Sequence, residues 1–595
     1  MNTVWIVLII LAAVILILLG VAIFRTFKVK RMRAKYVAPP IDTRALDLGG
    51  KLSRMVQIET VSVPDTNQRS KFLPFHDLLR ELFPLVHANM EKTEIDGNLL
   101  FKWKGETDEK PLVLMSHQDV VPAEGEWTHG PFSGDVADGK IWGRGASDTK
   151  CTVMAFFQAA EELIREGYRP ERDVYLSASC TEEWAGDGCP KLVDYLENKG
   201  VHPFLVCDEG GGIITNPVGG IKGNFAMVGV FEKGKADLKL TAKSSGGHAS
   251  APGKHTPVAR LADFVATFEH HNPFRRKMSP EVQALFEQLA PYAPFYLRLP
   301  LVNMWLFKPL LIWLMPRLSP QAGAMLQTTI AFTMMKGSEA FNVIPQEAWL
   351  GANMRFIPHE GMERSLAKVK RIARRHKIEV EVYRAVDYSR SVDIHGEGFG
   401  LIRKVIGETF PGLETCPYVM TGATDARNYE RIAEHVVRFA PVIYGPEQMK
   451  GMHGVNENIG IDCLPGAVDF YKNLIRANVT PPEPVEEPVP ETGEAAQPET
   501  PETEPATEAA ETTRETEPAP KAAETASAIE NGAQAGTEAA SAAEAEAESA
   551  GGETASSAEA AAAPESVSAA ETGAAPAVEK SPAPTMTFPP RKESE

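Results

Sequence analysis

The residues best suited to chemistry begin with His117 and Asp119, in the stretch PLVLMSHQD from Pro111 to Asp119. The apolar run Leu112 to Met115 has the length and composition of a buried strand. In an open α/β sheet, functional groups gather where strands end at their carboxyl edge. A carboxylate two residues beyond a histidine is within reach of the far imidazole nitrogen, and so fixes the tautomer of a metal-binding ring. Alone, the pair fits an ordinary polar contact equally well, because His and Asp hydrogen-bond freely. Two more buried-strand patterns end in acids: Val174 to Cys180 runs into Thr181-Glu182-Glu183, and Pro203 to Cys207 runs into Asp208. Asp148 stands at the head of a helical pattern from Cys151 to Glu166, and His453 lies far downstream in Met452-His453-Gly454-Val455-Asn456-Glu457-Asn458. Singly, the adjacent glutamates read as a solvated turn and Asp148 as a helix N-cap. Jointly, two histidines and three carboxylates suit a borderline-hard divalent ion such as zinc.

Elements that position these residues must come from a chain of 595 residues, longer than one hydrophobic core usually supports. Residues 478–595 are Pro, Ala, Glu, Thr and Ser with almost no aliphatic bulk, and hold 25 acidic against 5 basic residues. A segment of that composition cannot bury enough apolar surface to fold, so a disordered acidic tail is expected. It carries essentially all of the formal charge of −18, leaving the remainder near neutral, and no nucleic-acid partner is expected. At the other end, residues 4–24 are an uncharged apolar run long enough to cross a hydrocarbon core of about 30 Å as a helix. A cleaved signal peptide fits less well: the run is too long, no basic residue precedes it, and no small-x-small site follows. Arg25, Lys28, Lys30, Arg31, Arg33 and Lys35 open a basic juxtamembrane linker over 25–50, which the positive-inside tendency keeps, with the folded part behind it, in the cytoplasm. The six cysteines form neither a metal-binding pattern nor a disulfide framework. Between the first strand and Lys140 lies a long Gly-, Pro- and Asp-rich loop, a length that is usually functional.

Six segments together resemble one known family: SHQDVVP at 116–122, GRGASDTK at 143–150, TEEWAGDG at 181–188, CDEGG at 207–211, SGGHAS at 245–250 and HGVNENIG at 453–460. They are similar to the aminoacylase and carboxypeptidase type of dizinc metallopeptidases. Within it they resemble the carboxypeptidase S branch, which also contains N-acyl amino acid hydrolases. The resemblance implies a doubly wound α/β zinc-hydrolase domain formed by residues 51–225 and 385–477, with an α+β lid or dimerisation domain inserted over 226–384. It implies two zinc ions per subunit, for which cobalt or manganese could substitute: His117, Asp148 and Asp208 would hold one and Asp148, Glu183 and His453 the other, Asp148 bridging. Glu182 would be the general base, Asp119 would orient His117, and His248 would assist at the carbonyl oxygen, often from a partner subunit. Asn342 would help polarise the carbonyl, Arg355 would grip a substrate carboxylate, and the Gly422 loop would line the pocket. Ala249 departs from the serine more usual after that histidine.

The expected activity is hydrolysis of an amide bond to an amino acid with a free carboxylate, in a short peptide or an N-acyl amino acid, by a membrane-anchored enzyme. The alternatives are a deacylase of small non-peptide amides and a catalytically silent, membrane-tethered binding protein. A homodimer would form through the inserted domain. Tyr296 to Leu318 is apolar but broken by Pro300, Pro309 and Pro316, so it reads as buried lid core, with an acyl-binding or bilayer-contacting surface as the alternative.

Overall fold

Leu112 and Leu114 belong to one apolar core, Val113 and Met115 to another. A strand covered on both faces needs no polar alternation, which is why this run is apolar throughout. The computed structural model, which describes residues 3–64 and 69–479, sets this strand, Leu112–His117, in a ten-stranded mixed sheet. Its spatial order is Glu91–Ile95, Asn98–Trp103, Val174–Ser179, Leu112–His117, Leu205–Asp208, His435–Arg438, Asn224–Glu232, Gly212–Thr215 and Ile443–Tyr444, with Glu414–Met420 also paired to Asn224–Glu232. Val174–Ser179, Leu112–His117 and Leu205–Asp208 run parallel, His117 level with Ser179 and Leu114 level with Cys207. Their carboxyl ends therefore open on one edge, the placement the sequence requires. Thr43–Val56, Lys150–Arg165 and Leu464–Ala477 bury apolar faces on one side of the sheet. Gly188–Asn198 and the short helix Asp425–Arg431 cover the other.

A small sheet joins the distant ends of the site. Asn458–Gly460 pairs with Lys140–Trp142, which pairs in turn with Asp135–Ala137. With Asn458 opposite Trp142, the segment after His453 lies against the segment before Asp148.

A separate four-stranded antiparallel sheet is ordered Thr329–Lys336, Glu347–Phe356, Gly234–Lys243, Ile378–Val386. Gly234–Lys243 alternates buried and half-buried residues, the pattern of a strand with one covered face. Helices Pro257–His270 and Gly361–Arg375 supply that cover, and Leu238, Leu240, Phe264, Met354 and Ile372 form a core of their own. The expected boundary at 226 falls inside Asn224–Glu232, a strand of the large sheet. Phe225 to Phe231 is buried without alternation, and the one-face pattern starts only at Gly234. Tyr296 to Leu318 also departs from the expected lid core: it forms the helices Phe295–Val302 and Met304–Leu318, whose Leu301, Met304, Leu311 and Met315 pack into the large core.

Thr3–Lys28 is one helix, long and apolar enough to cross a membrane. The chain beyond it does not run free, since Ala34 and Tyr36 pack against the large core and the Tyr36 ring meets Phe410 edge-on at 5.4 Å. Helix Thr43–Val56 starts earlier than the Lys51 expected, because the Asp42 carboxylate accepts the Ala45 N–H at 2.8 Å and caps it. All six cysteines are free and buried. The proposed tail lies outside the described residues from 480 onward.

Candidate metal centre

The centre is built on Asp148, whose two carboxylate oxygens face different imidazoles. Oδ1 is 3.3 Å from His117 Nε2, and Oδ2 is 3.0 Å from His453 Nε2. His453 is also 3.1 Å from Glu183 Oε2. Two sets of donor atoms result, each lying within 4.8 Å of one another: His117, Asp148 and Glu209, and Asp148, Glu183 and His453. His117 and His453, 336 positions apart, thus meet through one shared carboxylate.

In the first set the structure puts Glu209 where the sequence suggests Asp208. Asp208 ends its strand with both carboxylate oxygens occupied, accepting from the Glu209 N–H at 2.7 Å and the Ala426 N–H at 2.8 Å. The strand ends there, and the bend that follows carries the neighbouring Glu209 carboxylate to His117 and Asp148.

Asp119 also works differently from expectation. His117 Nδ1–H donates to the Asp119 backbone carbonyl at 2.9 Å, while the Asp119 carboxylate is 3.5 Å away. Nε2 remains directed at the cluster, as a ligand nitrogen must be. The carboxylate instead accepts the Glu182 and Glu183 N–H groups, each at 3.2 Å, and the Ser62 hydroxyl. It therefore fixes the turn that delivers both glutamates.

Asp148 itself is held by Glu457, a residue whose role is not apparent from the sequence. One oxygen of the buried Glu457 accepts from Gly145 N, Ser147 N, Ser147 Oγ and Asp148 N at 2.9–3.1 Å. The other pairs with the buried Arg144 at 2.6 Å, and Arg144 also donates to the Gly454 carbonyl at 2.8 Å. Gly145 has φ +88°, and a Cβ there would stand 2.8 Å from Val120 Cγ1, so the glycine after Arg144 is dictated by both backbone and space. The helix behind begins at Lys150 with Thr149 as its cap residue, so Asp148 is not the N-cap.

Proton affinities across the centre register crowded negative charge. Burial pushes the Glu183 carboxyl up to about 7, with Asp148 adding to the effect. Burial also raises Glu182 and Glu209 well above the usual carboxylate range, further lifted by neighbouring acids. His453 rises to about 10 through its bonds to Asp148 and then Glu183. Glu183 Oε1 is buried without a hydrogen-bond partner among the described residues, which is costly unless a cation answers it. Two imidazoles, a shared carboxylate and an orphaned carboxylate oxygen fit divalent cations on chemical grounds.

Residues 113–477 match the family model described as Peptidase family M20/M25/M40. The chain belongs to that family. It is accordingly a metal-dependent hydrolase. Among its M20 relatives, a probable carboxypeptidase S-like 2 of Dictyostelium discoideum is 31% identical over 443 residues, covering 72% of this chain and 85% of the relative. The human N-fatty-acyl-amino acid synthase/hydrolase PM20D1 is 34% identical over 444 residues, covering 73% and 88%. The fold matches that of the M20 metallo-carboxypeptidase Sso-CP2 from Sulfolobus solfataricus, with a TM-score of 0.54, 17% identity, and coverage of 73% of this chain and 99% of that one.

The remaining expected residues of this M20 chain belong to neither donor set. Gly247–His248 pairs with Val343–Ile344 in an exposed ribbon, where the Asn342 carbonyl accepts the Ala249 N–H at 2.9 Å. His248 and Asn342 are thus neighbours, but among the described residues neither hydrogen-bonds to a member of either set. The His248 ring instead meets the Ser250 hydroxyl at 2.8 Å. Arg355, on Glu347–Phe356, donates to Asn353 Oδ1 at 3.2 Å, and no described residue bonds its Nη atoms. Burial lowers its proton affinity. Gly422 is exposed, and a Cβ there would meet nothing within 4 Å.

Proposed function

We propose that this chain is a membrane-anchored dizinc hydrolase that cleaves the amide bond to an amino acid bearing a free carboxylate, in short peptides or N-acyl amino acids. The observation that carries the reading is the Asp148 carboxylate, one oxygen toward His117 and the other toward His453. In this reading His117, Asp148 and Glu209 hold one cation and Asp148, Glu183 and His453 the other. The two cations, when bound, polarise the scissile carbonyl and make a water molecule acidic enough to attack it.

Every other step falls to side chains of the protein. Glu182 lies with its Oε2 4.0 Å from His117 Nε2, close to both donor sets yet a member of neither. Its raised proton affinity suits a group that takes the proton of the attacking water and returns it to the leaving nitrogen. Asp119 keeps Glu182 in place through the backbone of the turn. The four-stranded sheet with its two helices acts as the lid, and from it the Arg355 guanidinium binds the substrate carboxylate through two parallel hydrogen bonds. His248 and Asn342, neighbours on an exposed ribbon, assist at the carbonyl oxygen of the partner subunit's site in a homodimer. The Gly422 loop forms the open rim of the pocket. Helix Thr3–Lys28 spans the membrane with the basic residues after it on the cytoplasmic side.

A substrate series tests the specificity. Dipeptides, N-acetyl amino acids and N-fatty-acyl amino acids should be hydrolysed, and their C-terminal amides only poorly. Arg355→Lys should raise KM for the free acids by about 10- to 100-fold, in proportion to a lost bidentate contact, and leave the amides unaffected. Equal turnover of acids and amides by the parent enzyme would refute the carboxylate requirement.

A further inference from the structure

The helices Phe295–Val302 and Met304–Leu318 meet at 114° and take no part in the chemistry above. Leu301, Met304, Leu311 and Met315 fill the large core from one side of the pair. The opposite side is apolar as well: Tyr296, Trp305, Leu310, Trp313 and Leu318 are exposed, Leu318 by 70%. No acidic residue occurs between Glu287 and Glu339, and the only charges on the two helices are Arg298, Lys308 and Arg317. A helix apolar all round suits a core or a bilayer, and here the exposed side has no core against it.

Its location says what covers it. Asn303 Nδ2 donates to the Ala22 carbonyl at 3.0 Å and to Thr26 Oγ1 at 2.9 Å, and the Phe295 ring meets Phe27 at 5.4 Å. The Met32 N–H donates to the Pro291 carbonyl at 2.9 Å. Thr3–Lys28 is exposed along most of its length, yet Ala22 and Thr26 are fully buried by this contact. The contact therefore falls where the apolar run ends at Phe24 and the basic residues begin, which in a spanning helix is the depth of the lipid headgroups. Tryptophans are at home at that depth. The exposed Arg317 guanidinium stacks on Trp313 at 4.1 Å, placed to meet lipid phosphates.

We propose that Phe295–Val302 and Met304–Leu318 form a second membrane contact, embedded in the headgroup and upper acyl region of the leaflet from which Thr3–Lys28 emerges. Its partner is a phospholipid bilayer, and the proposal rests on the reading of Thr3–Lys28 as a span. Because the chain after Lys28 is packed onto the body, the span and this patch together fix the enzyme's tilt on the membrane.

The six native cysteines are buried, so single cysteines introduced into the full chain can carry nitroxide labels. In mixed phosphatidylcholine and phosphatidylglycerol vesicles, labels at Leu310→Cys and Trp313→Cys are compared with Leu16→Cys in the apolar run and the exposed Leu46→Cys on Thr43–Val56. Each labelled protein is first shown to hydrolyse a soluble N-acetyl amino acid at the unlabelled rate, which excludes misfolding. Labels at 310 and 313 should be reached by an aqueous nickel complex at least about fivefold less than the label at 46, while oxygen reaches them freely, as for apolar groups sunk into the acyl boundary. Nickel access at 310 and 313 equal to that at 46, with 16 protected, would overturn the second contact and leave the span intact. Nickel access at 16 as well would overturn both.

Discussion

Glu182→Gln should lower kcat by about 10²- to 10⁴-fold, the range that general-base catalysis contributes, while both metals stay bound and KM changes little. The amide has the size of the carboxylate but cannot accept the proton of the attacking water. Among the described residues its carboxylate faces only His117 Nε2 of the donor atoms, at 4.0 Å. The turn is held by the backbone N–H groups of Glu182 and Glu183 on Asp119, and Glu182 belongs to neither donor set. A loss confined to kcat marks an interaction made only in the transition state. Steady-state kinetics together with metal analysis of the same preparation checks this. A fall in metal content would make Glu182 a structural or ligating group, and an unchanged kcat would remove it from the mechanism.

Asp148→Asn should be more damaging, because each carboxylate oxygen serves a different imidazole. An amide offers one oxygen, and its NH2 group repels a cation. The variant should lose metal from both positions, and activity should fall by more than about 10⁴-fold, beyond the loss of the base alone. Its fold should survive, since Glu457 grips the Asp148 backbone N–H rather than its side chain. Metal analysis and circular dichroism on one sample separate the two effects. Two metals retained per chain would contradict the bridging role.

The strand ends were legible because Leu112–His117, Val174–Ser179 and Leu205–Asp208 are apolar runs that stop abruptly at polar residues, and parallel pairing then sends all three to one edge. What pattern could not decide was the choice between adjacent carboxylates. Asp208 is the last residue of its strand and Glu209 the first of the bend beyond it, and the course of that bend decides which carboxylate faces His117. The same limit applies to Asp119, where the histidine's partner is the backbone carbonyl and the carboxylate is spent on the turn after the adjacent strand. Glu457 and Arg144 lie inside segments already singled out, yet neither shows a role in sequence. A buried glutamate is recognisable only once its four donors and its guanidinium have been brought together across 309 to 313 positions. The signal was a charged residue in each of two glycine-rich motifs that had to meet. Apolar content in Tyr296 to Leu318 indicates burial, yet of its apolar residues only Leu301, Met304, Leu311 and Met315 are buried. Its docking on Thr3–Lys28 is a tertiary contact no periodicity encodes.

Anomalous X-ray scattering at the zinc edge, from crystals of the zinc-loaded protein, tests the central claim most directly. Two peaks flanking Asp148 are expected, one about 2.0–2.2 Å from ligand atoms of His117, Asp148 and Glu209, and the other at the same range from Asp148, Glu183 and His453. A single peak, or a pair in which Asp148 touches only one ion, would contradict it.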